Sequence, residues 1–162
     1  MTLDEFLDIS YTPEELFDYP FLLMSDYLKI NGDISFESLA ISHHFIARLP
    51  KKFIVNGHLS LRYQKMIENI SEVQLIVSGR LNLSGMNLTK LPDLTMSNLT
   101  ELNISHNQLS SFKGCPRVIL DNFLCHQNRF DKIDEYFPEV ISGYITCDHK
   151  IDQSLLPMKV LK

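Results

Sequence analysis

A strand-like pattern recurs six times along the chain and constrains the fold more than any other feature of the sequence. In each copy a small or polar residue is followed two positions later by one apolar residue and four positions later by another, as in Gly79-Arg-Leu81-Asn-Leu83. The copies are 21 to 25 residues apart. Self-similarity at a period of this length indicates a solenoid, in which each turn buries its apolar face only against its neighbours. The first apolar residues, spaced 25, 22, 21, 21 and 22 residues apart, are Ile34, Leu59, Leu81, Leu102, Phe123 and Ile145.

The second half of each unit places an asparagine in the bend that follows the strand. Asn107 has this position in repeat four and Asn128 has it in repeat five. An inward Asn side chain can satisfy the backbone groups of a bend, where no neighbouring strand pairs with them. Repeat three has Met86 there instead, so we expect its bend to close differently. The pattern L-x-L-x-x-N-x-L at this period is that of leucine-rich repeats.

These observations predict an α/β fold in which residues 31–153 form a leucine-rich repeat solenoid. We expect about five to six repeats whose strands form one parallel ladder. A solenoid needs a cover at each end, because a terminal turn otherwise exposes an apolar face. Residues 154–162 are the predicted cap at the C-terminal end.

The first 30 residues do not repeat and predict a helical N-terminal cap over residues 1–30. Thr12, followed by Pro13 and two glutamates, is a helix start, and Phe21, Met24 and Leu28 have helical spacing. This segment holds seven acids and one base, a net charge of −6. Because the whole chain has a net charge of −5, the rest of the chain carries +1. Acidic helices with aromatic residues also suggest an alternative function, as an inhibitor that imitates nucleic acid and fills a basic cleft.

Two details of the repeats stay open. The first repeat begins either at Ile34 or in a frame that starts at Leu39, 42 residues before Leu81. In repeat two, residues 62–70 resemble a helix more than an extended turn, and residues 68–77 are compatible with an extra strand.

One stretch of the repeats resembles a known family. The segment from Asn107 to Val118, which contains Gly114-Cys115-Pro116, and the residues that follow it up to Asn128 are similar to the short leucine-rich repeat proteins of tailed bacteriophages and some bacteria. The similarity extends over residues 27–150. The resemblance implies a leucine-rich repeat fold and a protein-binding role, and it implies no defined activity.

Composition and motifs limit the functional classes. The net charge of −5 opposes binding to duplex nucleic acid. No apolar run is long enough to span a membrane, the chain starts without a signal-peptide pattern, and its three cysteines are an odd number. We therefore expect a cytoplasmic protein with reduced thiols. The sequence has no phosphate loop, nucleophile elbow or dinucleotide-binding motif, so we expect neither a cofactor nor an enzyme.

The cysteines and histidines do not predict a metal site. Cys125 and Cys147 share the inward site of neighbouring repeats, at a spacing that a disulfide would allow. Strand alternation turns His126 outward, away from Cys125, so these residues cannot share a zinc ion. We predict that the two thiols are buried packing groups, as is Cys115.

The outward face of the strands is the predicted interaction surface. Its middle column is mostly small and neutral, with charged columns on either side, which suits a protein partner. Together with the family resemblance, which alone implies a phage source, this face predicts a phage-encoded or bacterial interaction module that inhibits or modulates a host or defence protein. The alternative from another class is a structural component that self-associates through an end of the solenoid, although we favour a monomer. The predicted contact residues are Arg80, Asn82, Glu101, Asn103, Asn122, Leu124, His126 and Tyr144.

Overall fold

The computed structural model describes residues 21–23, 27–35, 50–64 and 70–148 of the chain. Over these residues the protein is a parallel-strand β-solenoid of about five turns. The strands are β1 (Phe21–Leu23), β2 (Tyr27–Ile30), β3 (Ile34–Ser35), β4 (Lys52–Val55), β5 (Leu59–Ser60), β6 (Gln74–Val77), β7 (Arg80–Asn82), β8 (Glu101–Asn103), β9 (Val118–Ile119), β10 (Phe123–Leu124), β11 (Val140–Ile141) and β12 (Ile145–Thr146).

The six predicted rungs form one parallel sheet, which we call the main ladder. Its strands follow the order β3, β5, β7, β8, β10, β12, so each turn pairs with the turns before and after it. Leu102 lies in register with Leu81 on one side and with Phe123 on the other. The pairing of Ile34 with Leu59 shows that the first repeat begins at Ile34. Residues 39–49 of the alternative frame lie outside the described residues.

A second layer, which we call the side sheet, consists of the strand that precedes the main-ladder strand in each turn. β2, β4 and β6 are parallel and in register, and β1 runs antiparallel beside β2. β9 and β11 continue the layer in the last two turns. β6 confirms the extra strand that residues 68–77 allowed. Alternating apolar residues build both layers, because every second side chain of a strand points inward.

We number the turns by their main-ladder strands, so that β3 belongs to turn one and β12 to turn six. The side sheet is interrupted in turn four, where a serine hydroxyl takes the place of a strand. Ser97 is buried, and its Oγ accepts a hydrogen bond from the Val77 amide at 3.1 Å and donates one to the Leu75 carbonyl at 2.9 Å. The Asp93 carbonyl and the Asn98 amide bond to β6 on either side of it. The edge of β6 is therefore satisfied without a strand beside it.

The core lies between the two sheets and the bends that join them. Its C-terminal half is aromatic: the Phe112 ring stacks on Phe130 with 3.9 Å between centroids and meets Phe123 and Phe137 edge-on. Cys115 and Cys125 are buried in this core as predicted, and Cys147 is partly buried against it. The three thiols are free.

Asparagine side chains close the bends, as the sequence predicts. The Asn107 amide donates to the carbonyls of Leu83, Ile104 and Ser105, and its oxygen accepts from the amides of Met86 and Leu88. Turn three, which has Met86 at the asparagine position, is thus closed by the asparagine of turn four. Met86 itself is buried in the core.

The bend of turn five is closed by its own asparagine and by a carboxylate of turn six. Asn128 donates to the carbonyls of Ile104, Cys125 and His126. The Asp148 carboxylate accepts from the amides of Gln127 and Asn128, which ends the series of asparagines.

The helical cap predicted over residues 1–30 is wrong where the structure describes this segment. Residues 21–23 and 27–30 are strands, and Leu28 and Ile30 alternate inward along β2. Apolar residues three or four positions apart had suggested a helix, but the pairing of β2 with β4 outweighs that local preference. Residues 1–20 and 149–162, which include the predicted C-terminal cap, lie outside the described residues.

The helical part of the predicted α/β class is also not found in the described part of the chain. Among the described residues, the only helical element is a 3-10 turn at Ile70–Glu72. It lies at the end of the segment of repeat two that resembled a helix in the sequence. Residues 65–69 of that segment lie outside the described residues. No helix within the described ranges has the length and apolar character needed to cross a membrane.

Candidate functional site

The structure places all eight predicted contact residues on the outer face of the main ladder. Neighbouring rungs are about 4.8 Å apart, so the six rungs extend over roughly 24 Å. Three outward columns run across them. The residues directly before the first inward apolar residue of each rung form the first column, which consists of Asp33, His58, Arg80, Glu101, Asn122 and Tyr144. The middle column is Ser35, Ser60, Asn82, Asn103, Leu124 and Thr146. The described part of the third is Arg62, Ser84, Ser105, His126 and Asp148, of which Ser84 and Ser105 are buried.

Several first-column side chains bond to the backbone of the next rung. Asp33 Oδ1 accepts from the His58 amide at 2.8 Å, and His58 Nδ1 accepts from the Arg80 amide at 2.8 Å. Asn122 Oδ1 accepts from the Tyr144 amide at 3.2 Å. These acceptor atoms are occupied within the fold, so Asn122 presents mainly its amide nitrogen outward, where it lies 3.4 Å from Glu101 Oε2.

The glycines of the repeat are explained by these bonds. A Cβ atom at Gly79 would come within 2.3 Å of His58 Nδ1, and one at Gly143 would come within 2.5 Å of Asn122 Oδ1. At Gly57 the nearest atom is the Gly32 carbonyl oxygen, at 2.5 Å, with Asp33 Oδ1 at 2.7 Å. Glycine is therefore favoured where the backbone and a folded side chain of the previous rung both approach closely.

Asn82 and Asn103, which were predicted as contacts, also have a structural role. Asn82 Oδ1 accepts from both the amide and the hydroxyl of Ser84, and Asn103 Oδ1 does the same for Ser105. Both serines are buried at the ends of their strands. Each asparagine thus fixes the exit of its strand and keeps only its amide nitrogen available on the outer face.

Arg80 and Glu101 provide the charge on the centre of this face. They lie opposite each other in register on β7 and β8, yet no ion pair joins them. The Arg80 side chain is exposed and Glu101 is half-buried. A positive and a negative group, one rung apart, are therefore both accessible at the middle of the ladder.

The C-terminal end of the face is apolar and aromatic. Tyr144 is 60% exposed, and Leu124 is half-buried one rung before it. The His126 ring packs edge-on against His106 with 5.2 Å between centroids. His126 Nδ1 is buried and has no hydrogen-bond partner among the described residues.

The thiols beneath this face are poor nucleophiles. Burial raises the pKa of Cys125, and the neighbouring Cys147 and Asp148 raise it further. Burial likewise raises the pKa of Cys115 and, to a smaller extent, that of Cys147. A protonated thiol reacts slowly. Within the described ranges, no three His, Cys, Asp or Glu side chains are grouped as ligands for a metal ion.

Two other surface features were not predicted from the sequence. A groove of about 590 Å³ runs across turns three to five. Six of its eleven lining residues carry a hydroxyl group, Tyr136 among them, and Lys90, Lys113 and Asp93 also line it. Met96, Val118 and Leu120 are exposed in turns four and five, and Val118 and Leu120 line a smaller depression. In the sequence, Val118 could have been recognised as an apolar residue at the outward position of the strand that precedes a main-ladder strand.

No protein-family model, curated protein or solved structure matches this chain.

Proposed function

We propose that this protein is a leucine-rich-repeat-type interaction module that binds another protein through the outer face of the main ladder. We propose a bacterial host or defence protein as the partner and a phage or bacterial source for the chain, on the basis of the sequence resemblance. The observation that carries the proposal is the exposed Tyr144 beside the half-buried Leu124 and His126, held on a six-rung sheet whose register fixes each position.

The leucine-rich-repeat type is supported by the bends. Asn107 and Asn128 follow the main-ladder strand at the spacing of the repeat pattern, and each bonds to the backbone of its own and a neighbouring turn. We place the protein in a reducing cytoplasm, which its three free thiols support.

The geometry separates the predicted contacts into two groups. The side-chain oxygens of Asn82, Asn103 and Asn122 are engaged within the fold. We therefore expect most of the binding energy from the remaining five predicted residues, which are Arg80, Glu101, Leu124, His126 and Tyr144. Aromatic and arginine side chains dominate most protein interfaces, which favours Tyr144 and Arg80 as the strongest contacts.

The unpaired charges give the surface an orientation. Arg80 and Glu101 lie one rung apart and attract opposite groups on a partner, while the aromatic end buries apolar area. A partner with an acidic group, then a basic group, then an apolar pocket along one line fits this order.

The experiment compares two matched tyrosine variants in affinity capture from a bacterial lysate. Tyr144→Glu lies on the outer face, and Tyr136→Glu is the control because Tyr136 is 43% exposed at the hydroxyl-lined groove. A captured protein is identified by mass spectrometry, purified and titrated calorimetrically. Loss of a strong contact costs about 2 kcal/mol, which is roughly a 30-fold weaker dissociation constant.

We expect Tyr144→Glu and Leu124→Glu to weaken binding by that factor, whereas Tyr136→Glu retains wild-type affinity. Thermal unfolding of each variant confirms that the fold is intact. Equal affinity of Tyr144→Glu, Leu124→Glu and the wild-type protein would remove the outer face as the binding site.

A further inference from the structure

The side-chain amides of Asn82 and Asn103 have a fixed orientation. In each residue Oδ1 accepts from the backbone amide of the serine two positions later at 3.0 Å and from the hydroxyl of that serine at 2.7 Å. A backbone amide can only donate a hydrogen bond, so the oxygen of each asparagine must face the serine. The two N–H groups on Nδ2 are therefore directed to the outer face of the main ladder.

These two amide nitrogens are donors without acceptors. Neither Nδ2 atom bonds to a group in the described part of the chain. Both side chains are half-buried, and the one buried side-chain nitrogen or oxygen without a partner among the described residues is His126 Nδ1, so both amide nitrogens reach solvent. A partner that covers them without supplying acceptors leaves two donors unpaired, which costs binding energy.

The register of the ladder sets the distance between the two donors. Asn82 and Asn103 lie opposite each other on the parallel strands β7 and β8. Because the two side chains make the same bonds at the same distances, their Nδ2 atoms repeat at the rung spacing of about 4.8 Å. A carboxylate has two acceptor oxygens in one plane, so it can lie between the donors and accept one hydrogen bond from each.

Arg80 places a positive charge beside this donor pair. It precedes Asn82 by two residues, so both side chains are on the same face of β7, about 6.6 Å apart along the strand. Arg80 is exposed and forms no ion pair with a described residue. The negative Glu101 is turned to the other side of β8, where its Oε2 lies 3.4 Å from Asn122 Nδ2. The charge nearest the donor pair therefore favours an anionic acceptor.

We propose that Arg80, Asn82 and Asn103 form a site for a carboxylate group of the protein partner. This inference rests on the proposed function and specifies the chemistry of the partner at the centre of the main ladder. Each asparagine donates to one carboxylate oxygen, and the Arg80 guanidinium supplies the opposite charge. The carboxylate comes from an acidic side chain or from the C-terminus of a chain, because both present the same planar group.

The site selects among partners and orients the one that binds. The middle column becomes apolar at Leu124, which lies in register with Asn103 and ends the row of amide donors. Tyr144 is exposed on the last rung, about 12 Å from the midpoint of the donor pair. A partner that places its carboxylate and an apolar group at this separation contacts both regions, whereas one without the carboxylate leaves the donors unpaired.

An NMR titration of the labelled full chain tests the site without any protein partner. The probes are N-acetylglutamate N-methylamide, which carries a side-chain carboxylate, and the neutral N-acetylglutamine N-methylamide. We expect the glutamate probe to shift the side-chain amide signals of Asn82 and Asn103 saturably. The glutamine probe should bind about tenfold more weakly, because hydrogen bonds to a charged acceptor are stronger. N-acetylglycine carries its carboxylate at the chain end, so its affinity relative to the glutamate probe identifies the preferred source.

Aspartate substitutions separate the site from the fold. Asn82→Asp and Asn103→Asp keep an oxygen for the serine amide and hydroxyl but replace the outward donor with a negative acceptor. Each should abolish saturable binding of the glutamate probe. Asn98→Asp makes the same change at an exposed position outside the main ladder and should leave binding unchanged. Arg80→Gln, whose side chain bonds to no described residue, should weaken binding several-fold and does not depend on the asparagine bonds.

Two results would overturn the carboxylate site. One is equal binding of the glutamate and glutamine probes, and the other is wild-type binding of the glutamate probe to Asn82→Asp and Arg80→Gln. Both are measured without a partner, so they leave the capture experiment with Tyr144→Glu unaffected. Failure of this inference is thereby distinguished from failure of the proposed function.

Discussion

Replacing Asn107 with alanine should destabilise the fold more than any other single polar substitution proposed for this protein. The side chain bonds five backbone groups in two turns, at distances of 2.9 to 3.2 Å, and is buried. Its loss leaves the amides of Met86 and Leu88 buried without an acceptor. Each orphaned buried donor costs about 1–3 kcal/mol, and the lost carbonyl bonds add to this, so we expect about 3–5 kcal/mol in total.

Urea denaturation followed by circular dichroism measures this free energy of unfolding directly. In a chain of 162 residues each kcal/mol lowers Tm by about 2–4 °C, so Asn107→Ala should melt roughly 6–20 °C below the wild-type protein. Asn128→Ala should cost less, about 1–3 kcal/mol, because its oxygen accepts only the Leu109 amide and the side chain is only partly buried. Asn98→Ala is the control, since that side chain is exposed.

The order of these three variants tests the reasoning. An Asn107→Ala protein within about 1 kcal/mol of the wild type would refute the role of the buried asparagine in closing the bends. Equal losses for Asn107→Ala and Asn98→Ala would show that the effect does not depend on the buried hydrogen bonds.

Three further predictions concern the rungs, the outer face and pH. Gly79→Ala places a Cβ against His58 and should cost about 1–3 kcal/mol in urea denaturation, because overpacking forces the rungs apart. His126→Phe removes a buried nitrogen without a partner and should raise Tm by about 2–4 °C while weakening partner capture. The Thr95 hydroxyl bonds to Asp93 and lowers the pKa of that carboxyl below 3.8, so this stabilisation is present above pH 3.8 and fades as the pH falls through the folded-state pKa. The difference in Tm between the wild type and Asp93→Asn should therefore shrink on acidification.

Controls for these predictions use residues in equivalent positions. Thr100 stands where repeats two, three and six have glycine and already carries a Cβ atom there, so Thr100→Ala should change stability by less than about 0.5 kcal/mol. Equal losses for Gly79→Ala and Thr100→Ala would contradict the role of His58. A Tm difference for Asp93→Asn that grows toward low pH would contradict the assigned direction of its pKa.

The main ladder could be predicted from the sequence because burial repeats with the chain. Leu81, Leu102 and Phe123 occur at a nearly constant interval, and one register brings them together. The bends were also predictable, since Asn107 and Asn128 recur at a fixed offset from the strand and supply both donors and acceptors. In both cases the residues that make the interaction recur at a fixed interval along the sequence.

The side sheet and the glycine rule were harder to predict because their causes lie between turns. Leu28 and Ile30 alternate as strand residues do, but with Phe21 and Met24 they also fit a helix, and only the pairing with β4 decides. Gly79 is required by the direction of the His58 side chain, which the sequence does not specify. Ser97 replaces a strand with one hydroxyl, an arrangement that leaves no periodic signal.

The predicted contact residues share one face of the ladder, and some of them also have a role within the fold. All eight predicted residues lie on one face, yet the oxygens of Asn82, Asn103 and Asn122 bond within the fold. Polar residues on a strand surface satisfy neighbouring backbone groups as readily as they meet a partner, and sequence alone does not distinguish the two.

Scalar couplings across hydrogen bonds, measured by NMR on the labelled full chain, test the central claim most directly. The stacked rungs predict couplings from the Leu83 amide to the Asn103 carbonyl, from Leu102 to Asn122 and from Ile104 to Leu124. Observation of this series establishes the parallel register that forms the outer face. Couplings to other carbonyls, or unprotected amides at Leu83, Leu102 and Ile104, would contradict the ladder and the binding surface built on it.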